Sequence, residues 1–151
     1  MNEVEISVEG IDTPVWIEAA RGFALKALEK LGKEGWDLSI LFCDATFIHG
    51  LNKQYRDKDE ATDVLSFEQG DSYTGPEGEK RWLAGDIVIS LDGLERNVAD
   101  FGVSRDEELK RLIVHGVLHL SGLDHPDNDP AQPMLKLQEE SLAALSGEHI
   151  L

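Results

Sequence analysis

The sequence contains a single cysteine, Cys43, so no disulfide can form within the chain. Its apolar neighbours Ile40, Leu41 and Phe42 predict a buried strand residue rather than a reactive thiol or a metal ligand. The sequence also lacks a run of about 18 apolar residues that could span a membrane. Residues 1–5 are acidic and lack the basic start and apolar segment of a signal peptide. These absences predict a cytoplasmic protein that does not enter a membrane.

Basic residues are scarce, since 14 lysines and arginines stand against 30 acidic residues and leave a formal net charge of −16. Proteins that bind nucleic acid through its phosphates usually present a basic surface. An RNA substrate would therefore need a local positive groove, a bound metal ion or a partner protein that delivers it. Most of the acidic residues are expected to form a solvated surface.

The chain of 151 residues, 41% of them hydrophobic, is long enough to bury one core, and it shows no internal repeat. We therefore expect one domain over residues 1–151. Hydrophobic periodicity predicts four strands, over residues 3–8, 37–43, 62–67 and 83–90. It predicts five helices, over residues 13–32, 45–55, 92–101, 104–121 and 132–145. This set of elements indicates an α+β fold.

Helix ends carry recognisable signals. Thr13 followed by Pro14 is expected to begin the first helix. Ser104 and Glu107 form a capping box at the start of the fourth helix. Residues 69–81 shift in composition to Gly, Asp, Ser, Pro and Glu, which predicts a mobile surface connection between the third and fourth strands.

Three histidines are the most informative feature of the sequence. His115 and His119 lie four residues apart, so on the fourth helix they share one face and both imidazoles can reach one ion. Gly122 is expected to end that helix in a left-handed conformation and return the chain towards the same ion at His125. Three nitrogen ligands suit zinc, and a site that keeps a fourth position open is typical of catalysis. The pattern predicts a catalytic metal site on a central helix.

The histidine spacing is also that of the metzincin proteases, in which a glutamate follows the first histidine and acts as the general base. In this chain Gly116 stands at that position. The usual arrangement for peptide cleavage therefore lacks its proton carrier.

Other polar residues near the predicted site admit two interpretations each. Arg56 belongs to a basic group at the end of the second helix, where pairing with the helix dipole is the simpler explanation. Tyr55, beside it, is predicted to face the core. Asp86 at the start of the fourth strand is either a turn former or a site residue. Asp124 lies next to His125, where a carboxylate either orients a histidine or serves as a base.

Three blocks of residues occur in order: Asn52-x-x-Tyr55-Arg56 followed by Thr62-Asp-Val-Leu-Ser-Phe67, then Gly85-Asp86-Ile87, then His115-Gly-Val-Leu-His-Leu-Ser-Gly-Leu-Asp-His125. In this combination the sequence resembles the YbeY family of bacterial single-domain metalloproteins, which are described as endoribonucleases in ribosomal RNA maturation. The blocks cover most of residues 45–140. The chain departs from many members at Glu68, where they have proline, and in the acidic stretch that follows.

The resemblance implies a mixed four-stranded sheet with helices packed on it. It implies that His115, His119 and His125 bind one zinc ion, and that Arg56 is a functional basic residue beside the metal. The implied activity is that of a zinc-dependent, single-strand-specific endoribonuclease in maturation of the 16S ribosomal RNA 3′ end and in ribosome quality control. The implied partners are ribosomal RNA and a ribosome or ribosomal protein. Nickel or another divalent metal could occupy the same histidines in purified protein.

The resemblance leads to the hypothesis that the metal ion assists hydrolysis of a phosphodiester bond. Arg56 would hold a phosphate oxygen, and Asp124 is a candidate proton carrier. Attack by water and attack by the RNA 2′-hydroxyl are both compatible with these residues. Two other functions fit the sequence: a ribosome-assembly or RNA-binding factor with structural zinc, which the acidic charge favours, and a metal-dependent peptidase-like hydrolase that uses a different base.

Overall fold

Five helices and four strands make up the regular structure in the computed structural model, which describes residues 1–151. In chain order they are β1 (Glu3–Glu9), α1 (Ile17–Lys30), β2 (Trp36–Cys43), α2 (Ala45–Arg56), β3 (Val64–Thr74), β4 (Lys80–Ser90), α3 (Leu91–Phe101), α4 (Arg105–Leu120) and α5 (Pro133–Ala144). The strands form one sheet in the order β1-β2-β4-β3. β2 runs parallel to β1 and β4, whereas β3 is antiparallel to β4. The predicted α+β class and mixed four-stranded sheet are confirmed.

Helix α4 lies at the centre of the molecule, where it contacts α1, α3, α5, β3 and β4. Its apolar residues are buried on more than one side, as the sequence predicts: Leu109, Leu112, Ile113, Val114, Val117, Leu118 and Leu120. A helix that is apolar on most of its circumference is stable only inside a core. The surrounding elements therefore hold α4 rigidly at its C-terminal end. None of the five helices has the length and apolar character needed to cross a membrane.

Helix α4 approaches the sheet most closely at Gly116. A Cβ atom on Gly116 would lie 2.7 Å from Cγ2 of Ile87 on β4, closer than two carbon atoms normally approach. Position 116 therefore faces the sheet and has room only for hydrogen. A glutamate at this position, as in the metzincin pattern, would have to enter the core beneath the helix.

The sequence prediction for residues 69–81 is wrong. This segment is a β-hairpin, because β3 extends to Thr74 and β4 already begins at Lys80. The turn between them is closed by a hydrogen bond from the Gly75 amide to the Glu79 carbonyl oxygen, at 2.8 Å. Most side chains in this part of β3 are exposed on both faces of the sheet. The strand therefore carries no hydrophobic alternation that sequence analysis could detect.

The start of α1 also differs from the prediction. The helix begins at Ile17 rather than at Pro14, and its N-cap residue is Trp16, whose side chain makes no capping hydrogen bond. The Trp16 ring packs edge-on against Phe42 of β2, with 5.0 Å between the ring centroids. Trp16 lies in a turn before the helix, in which the Ile17 amide donates to the Pro14 carbonyl oxygen at 3.4 Å.

The third strand begins at Val64 rather than at the predicted residue 62. The predicted cap of α4, the end of α3 and the buried cysteine agree with the structure. Ser104 caps α4, because its hydroxyl oxygen accepts a hydrogen bond from the Glu107 amide at 3.0 Å. Gly102 ends α3 in the left-handed conformation, with φ of 64°. Cys43 is fully buried on β2. Burial raises the pKa of its thiol to about 12, which keeps it protonated and unreactive at neutral pH.

Candidate metal centre

The C-terminal end of α4 has the geometry that returns the chain towards the helix. Gly122 has a φ of +90°, and its amide donates to the His119 carbonyl oxygen at 3.0 Å. The Leu123 amide donates to the Leu118 carbonyl oxygen at 3.2 Å. These two hydrogen bonds define a Schellman motif, which strongly favours glycine at the left-handed position. The motif directs the chain towards His125, as the sequence predicts for Gly122.

Each of the three histidines has its Nδ1 atom hydrogen-bonded to an oxygen atom. His115 Nδ1 lies 2.7 Å from the side-chain oxygen of Gln138 on α5. His119 Nδ1 lies 3.1 Å from the Leu123 carbonyl oxygen, within the turn just described. His125 Nδ1 lies 2.9 Å from the carbonyl oxygen of Asp127. Because a carbonyl oxygen only accepts, each Nδ1 must carry the proton, and each Nε2 presents a lone pair.

One nitrogen from each of His115, His119 and His125 lies within 4.8 Å of the others. The Nε2 atoms of His115 and His119 are 3.1 Å apart. Because both nitrogens are unprotonated in the tautomers assigned above, this contact is not a hydrogen bond. Two imidazole nitrogens bound tetrahedrally to one zinc ion would lie about 3.3 Å apart. The three histidines could therefore hold one metal ion with little rearrangement.

The surroundings favour the neutral imidazole form that binds metal. Burial lowers the pKa of His115 below its ordinary value, and the proximity of His125 acts in the same direction. Burial also lowers the pKa of His119, and the proximity of His115 adds to the effect. Metal ions compete with protons for histidine nitrogens, so a lowered pKa reduces this competition at neutral pH.

Gln138 is a site residue that sequence analysis missed. Its side-chain nitrogen donates to Glu139 at 3.0 Å, and this bond leaves its side-chain oxygen facing His115. Arg111 of α4 holds the Glu139 carboxylate with two hydrogen bonds, each of 3.0–3.1 Å. A signal was present in the sequence, because Gln138 lies between Met134 and Leu142 on the buried stripe of α5. A polar residue in such a stripe requires a buried partner.

A second set of hydrogen bonds extends from α4 towards β3. Arg111 also donates to Glu108 at 3.0 Å, and Glu108 accepts from Asn97 of α3 at 3.0 Å. The same Asn97 nitrogen donates to Asp63 at 2.8 Å, immediately before β3. Buried polar groups joined in this way fix the relative positions of α3, α4 and the start of β3. The block Thr62–Phe67 is thereby held beside the histidines.

The histidines open onto a cleft of about 890 Å³. It is lined by His115, His119 and Asp124, by Val64–Glu68 of β3, and by Arg56 and Lys58 at the end of α2. Arg56 Nη2 donates to the Ser66 carbonyl oxygen at 2.6 Å, and its guanidinium carbon lies 5.0 Å from the centroid of the Phe67 ring. The structure therefore places Arg56 in the same cleft as two of the histidines. The lining therefore contains two cations, Arg56 and Lys58, and two carboxylates, Glu68 and Asp124.

The acidic candidates occupy different places. Asp124 is exposed in the histidine cleft, and its Oδ1 accepts a hydrogen bond from the His125 amide at 2.8 Å. Its other oxygen accepts no hydrogen bond within the chain. Asp86 is exposed and lines a separate cleft on the sheet, where its carboxylate accepts a hydrogen bond from the Ser39 hydroxyl. The structure thus brings Asp124, and not Asp86, to the histidines.

The prediction for Tyr55 is wrong, because its side chain does not face the core. Tyr55 is 56% exposed, and its ring packs against Phe67 at the edge of the sheet. Ile48, seven residues earlier on the same helix face, is fully buried, so the burial of this face ends before Tyr55. Sequence periodicity places an aromatic residue on a helix face but does not show where the sheet beneath that face ends.

Comparison with known proteins agrees with this geometry. A family model described as Endoribonuclease YbeY matches residues 3–146. A Treponema denticola protein named Endoribonuclease YbeY is 60% identical over 129 residues, which cover 85% of this chain and 81% of the relative. A Treponema pallidum protein of the same name is 47% identical over 143 residues, or 95% and 89% of the two chains.

A solved structure also has a similar fold. The solution structure of a Thermotoga maritima protein superposes with a TM-score of 0.65 at 25% sequence identity. The match covers 96% of this chain and 90% of that one. The similarity of fold therefore extends over almost the whole chain rather than over an isolated motif.

Proposed function

This chain belongs to the YbeY endoribonuclease family, and from that membership we propose that it is a zinc-dependent endoribonuclease that cleaves single-stranded RNA. The observation that carries the proposal is the convergence of three unprotonated histidine nitrogens beside a cleft that is lined by two of these histidines and by Arg56. We treat residues 1–151 as one hydrolase domain. The likeness to metzincins is one of histidine spacing alone.

Zinc is the metal that the donor set fits best. The ligands would be His115, His119 and His125, each held by a hydrogen bond at Nδ1, and three histidines are a known catalytic zinc set. A bound zinc ion would supply a Lewis acid that polarises a phosphoryl oxygen and makes water more acidic. Because nitrogen ligands also bind nickel and copper tightly, the metal in purified protein depends on availability.

Arg56 is proposed to bind the phosphate that is cleaved. Its hydrogen bond to the Ser66 carbonyl oxygen and its position over Phe67 fix the guanidinium at the cleft wall. A guanidinium has five N–H donors, so those not used by Ser66 remain free for phosphate oxygens. A fixed cation beside the reacting phosphate stabilises the charge that develops there.

Asp124 is the proposed proton carrier. It is exposed in the cleft, and one carboxylate oxygen is free to accept a proton from the attacking nucleophile. The nucleophile is water or the RNA 2′-hydroxyl, and the carboxylate could serve either.

The proposed substrate is ribosomal RNA, in the maturation of the 16S 3′ end and in ribosome quality control, with a ribosome or ribosomal protein as partner in the cytoplasm. Arg56 and Lys58 supply two cations for phosphate groups, although the carboxylates of Glu68 and Asp124 line the same cleft. Elsewhere the net charge of −16 opposes RNA binding, so a protein partner would help to bring the substrate to the cleft.

The net charge of −16 also supports a second candidate function, that of a ribosome-assembly factor whose zinc is structural. A peptidase-like activity would need a base other than the metzincin glutamate, for which Gly116, packed against Ile87, leaves no room.

The test is to purify untagged protein, measure bound metals by mass spectrometry, and incubate the protein with precursor 16S ribosomal RNA. The His119→Ala variant should lose metal and cleavage. His149→Ala is the matched control, since His149 pairs with Asp106 outside the cleft, and it should keep both. Metal-loaded wild-type protein that leaves the RNA intact would favour the assembly factor, and peptide cleavage with RNA untouched would favour the peptidase.

A further inference from the structure

An aromatic pair lies beside the histidine cleft: Phe67 lines the cleft, and Tyr55, which is not itself a lining residue, packs against Phe67. The Tyr55 and Phe67 ring centroids are 5.5 Å apart, with the ring planes at 72°, so Tyr55 packs edge-to-face against Phe67. Phe67 is half-buried and lines the cleft. Tyr55 is 56% exposed and makes no side-chain hydrogen bond within the chain. A ring supported on one edge keeps a fixed orientation while most of its surface stays accessible to a ligand.

The positive charges of the cleft lie beside this pair. Arg56 follows Tyr55 in the chain, and its guanidinium carbon is 5.0 Å from the Phe67 ring centroid. Phe67 thus contacts both the tyrosine ring and the guanidinium. Lys58, two residues further on, also lines the cleft. An exposed aromatic ring next to cations is the combination by which proteins bind single-stranded nucleic acid, since bases stack on the ring and phosphates pair with the cations.

We propose that Tyr55 is a stacking platform for an unpaired nucleobase of the RNA, next to the phosphate bound by Arg56. This inference rests on the proposed endoribonuclease function and adds a base-binding subsite to it. Every base has a π-face, so stacking on Tyr55 tolerates any sequence but requires an unpaired base. The subsite would contribute to binding an unpaired strand and would take no part in the chemistry at the histidines.

The first experiment compares Tyr55→Ala, Tyr55→Phe and Tyr55→Trp in steady-state cleavage of a single-stranded RNA oligonucleotide by zinc-loaded protein. Loss of the ring in Tyr55→Ala should lower kcat/KM about 5- to 150-fold, mainly by raising KM. The Tyr55→Phe and Tyr55→Trp variants keep an aromatic ring and should have a kcat/KM close to that of the wild-type protein. Phe101→Ala is the matched control, because Phe101 is 65% exposed at the end of α3 and, unlike Tyr55, packs against no aromatic ring that lines the cleft. It should cleave like the wild-type protein.

The second experiment tests the base itself. A set of oligonucleotides carries one abasic residue at successive positions around the cleaved bond, and each is cleaved by wild-type and Tyr55→Ala protein. At the stacked position the abasic residue should slow the wild-type protein and leave the Tyr55→Ala variant unaffected. Such non-additivity identifies a direct contact between the ring and the base.

The outcomes separate this inference from the proposed function. Wild-type protein that cleaves no RNA would overturn the endoribonuclease proposal and the subsite with it. Cleavage by the wild-type protein with an equal loss in Tyr55→Ala on every oligonucleotide would overturn the subsite alone and assign Tyr55 a structural role. Unchanged kcat/KM in Tyr55→Ala would also overturn it, and a protein partner would then be the candidate occupant of the pair.

Discussion

Gly116 and Ile87 are in such close contact that a methyl group on Gly116 would lie 2.7–2.9 Å from three side-chain carbons of Ile87. We expect Gly116→Ala to lower the free energy of unfolding by about 1–3 kcal/mol, because added volume in a packed core forces side chains or backbone to shift. Chemical denaturation measures the change.

Gly22→Ala is the control for this substitution. Gly22 is an exposed glycine inside helix α1, where a Cβ atom would meet no neighbouring atom within 4 Å. Alanine at this position should raise the free energy of unfolding by about 0.5–1 kcal/mol, since it favours the helix without a clash. If Gly116→Ala is stabilising as well, the close contact between α4 and β4 does not constrain position 116.

Gly122 is expected to matter for metal binding as well as for stability. Its φ of +90° is unfavourable for any residue with a side chain, so Gly122→Ala should cost about 1 kcal/mol or more. The strain should also displace Leu123, whose carbonyl oxygen orients His119, and weaken zinc binding in a chelator competition. Gly102→Ala carries a comparable strain at the end of α3, away from the histidines, and should lose stability with unchanged zinc affinity.

Gln138 should tune the metal affinity of His115. Gln138→Leu removes the acceptor at Nδ1, and the loss of such a partner typically lowers metal affinity about 10- to 100-fold. Gln138→Glu restores an acceptor and should recover much of the affinity. Competition with a fluorescent zinc chelator measures both variants. Equal zinc affinity in the leucine variant and the wild-type protein would contradict a role of Gln138 in holding His115.

Arg56→Ala should retain the fold and the bound metal but lose turnover. Arg56 contacts Ser66 and Phe67 at the exposed edge of the sheet, so its removal disturbs no core residue. Loss of one group that stabilises the transition state typically lowers kcat about 100- to 1000-fold. Arg96→Ala, which removes an exposed arginine on α3, is the control and should cleave normally. Normal turnover in Arg56→Ala would contradict its proposed role.

The metal-free protein should lose stability in mild acid. Burial lowers the pKa of His115 and His119 below 6.5, so the folded state binds protons less readily than the unfolded chain. The neutral histidines therefore contribute stability above pH 6.5 that is lost as the pH falls through their lowered pKa values. In EDTA, the Tm should fall more between about pH 7 and pH 5 than in the His115→Gln/His119→Gln variant. An equal decrease of Tm with pH in the two proteins would contradict the lowered pKa values of His115 and His119.

Local features of the sequence were sufficient to predict the histidine turn. Two histidines four residues apart share a helix face, and a glycine after the helix favours a left-handed turn, because both effects act within a few residues. The capping of α4 by Ser104 and the buried strand around Cys43 were predicted on the same basis. β1 was predicted from the alternation of polar and apolar residues, and β2 and β4 from their apolar runs.

The packing of distant segments decided the rest. Gln138 lies 23 residues from His115 and reaches it only because α5 packs beside α4. Arg56 lies in the cleft because its guanidinium donates a hydrogen bond to the Ser66 carbonyl oxygen on β3. Its position on α2 had suggested pairing with the helix dipole. Tyr55 is exposed because the sheet ends beneath it, and residues 69–81 pair as strands without a hydrophobic pattern. The sequence by itself determined the spacing of the three histidines and the turn that brings them together, because these depend on local geometry. Tertiary structure decided which other groups face the histidines, because those contacts depend on how whole elements pack.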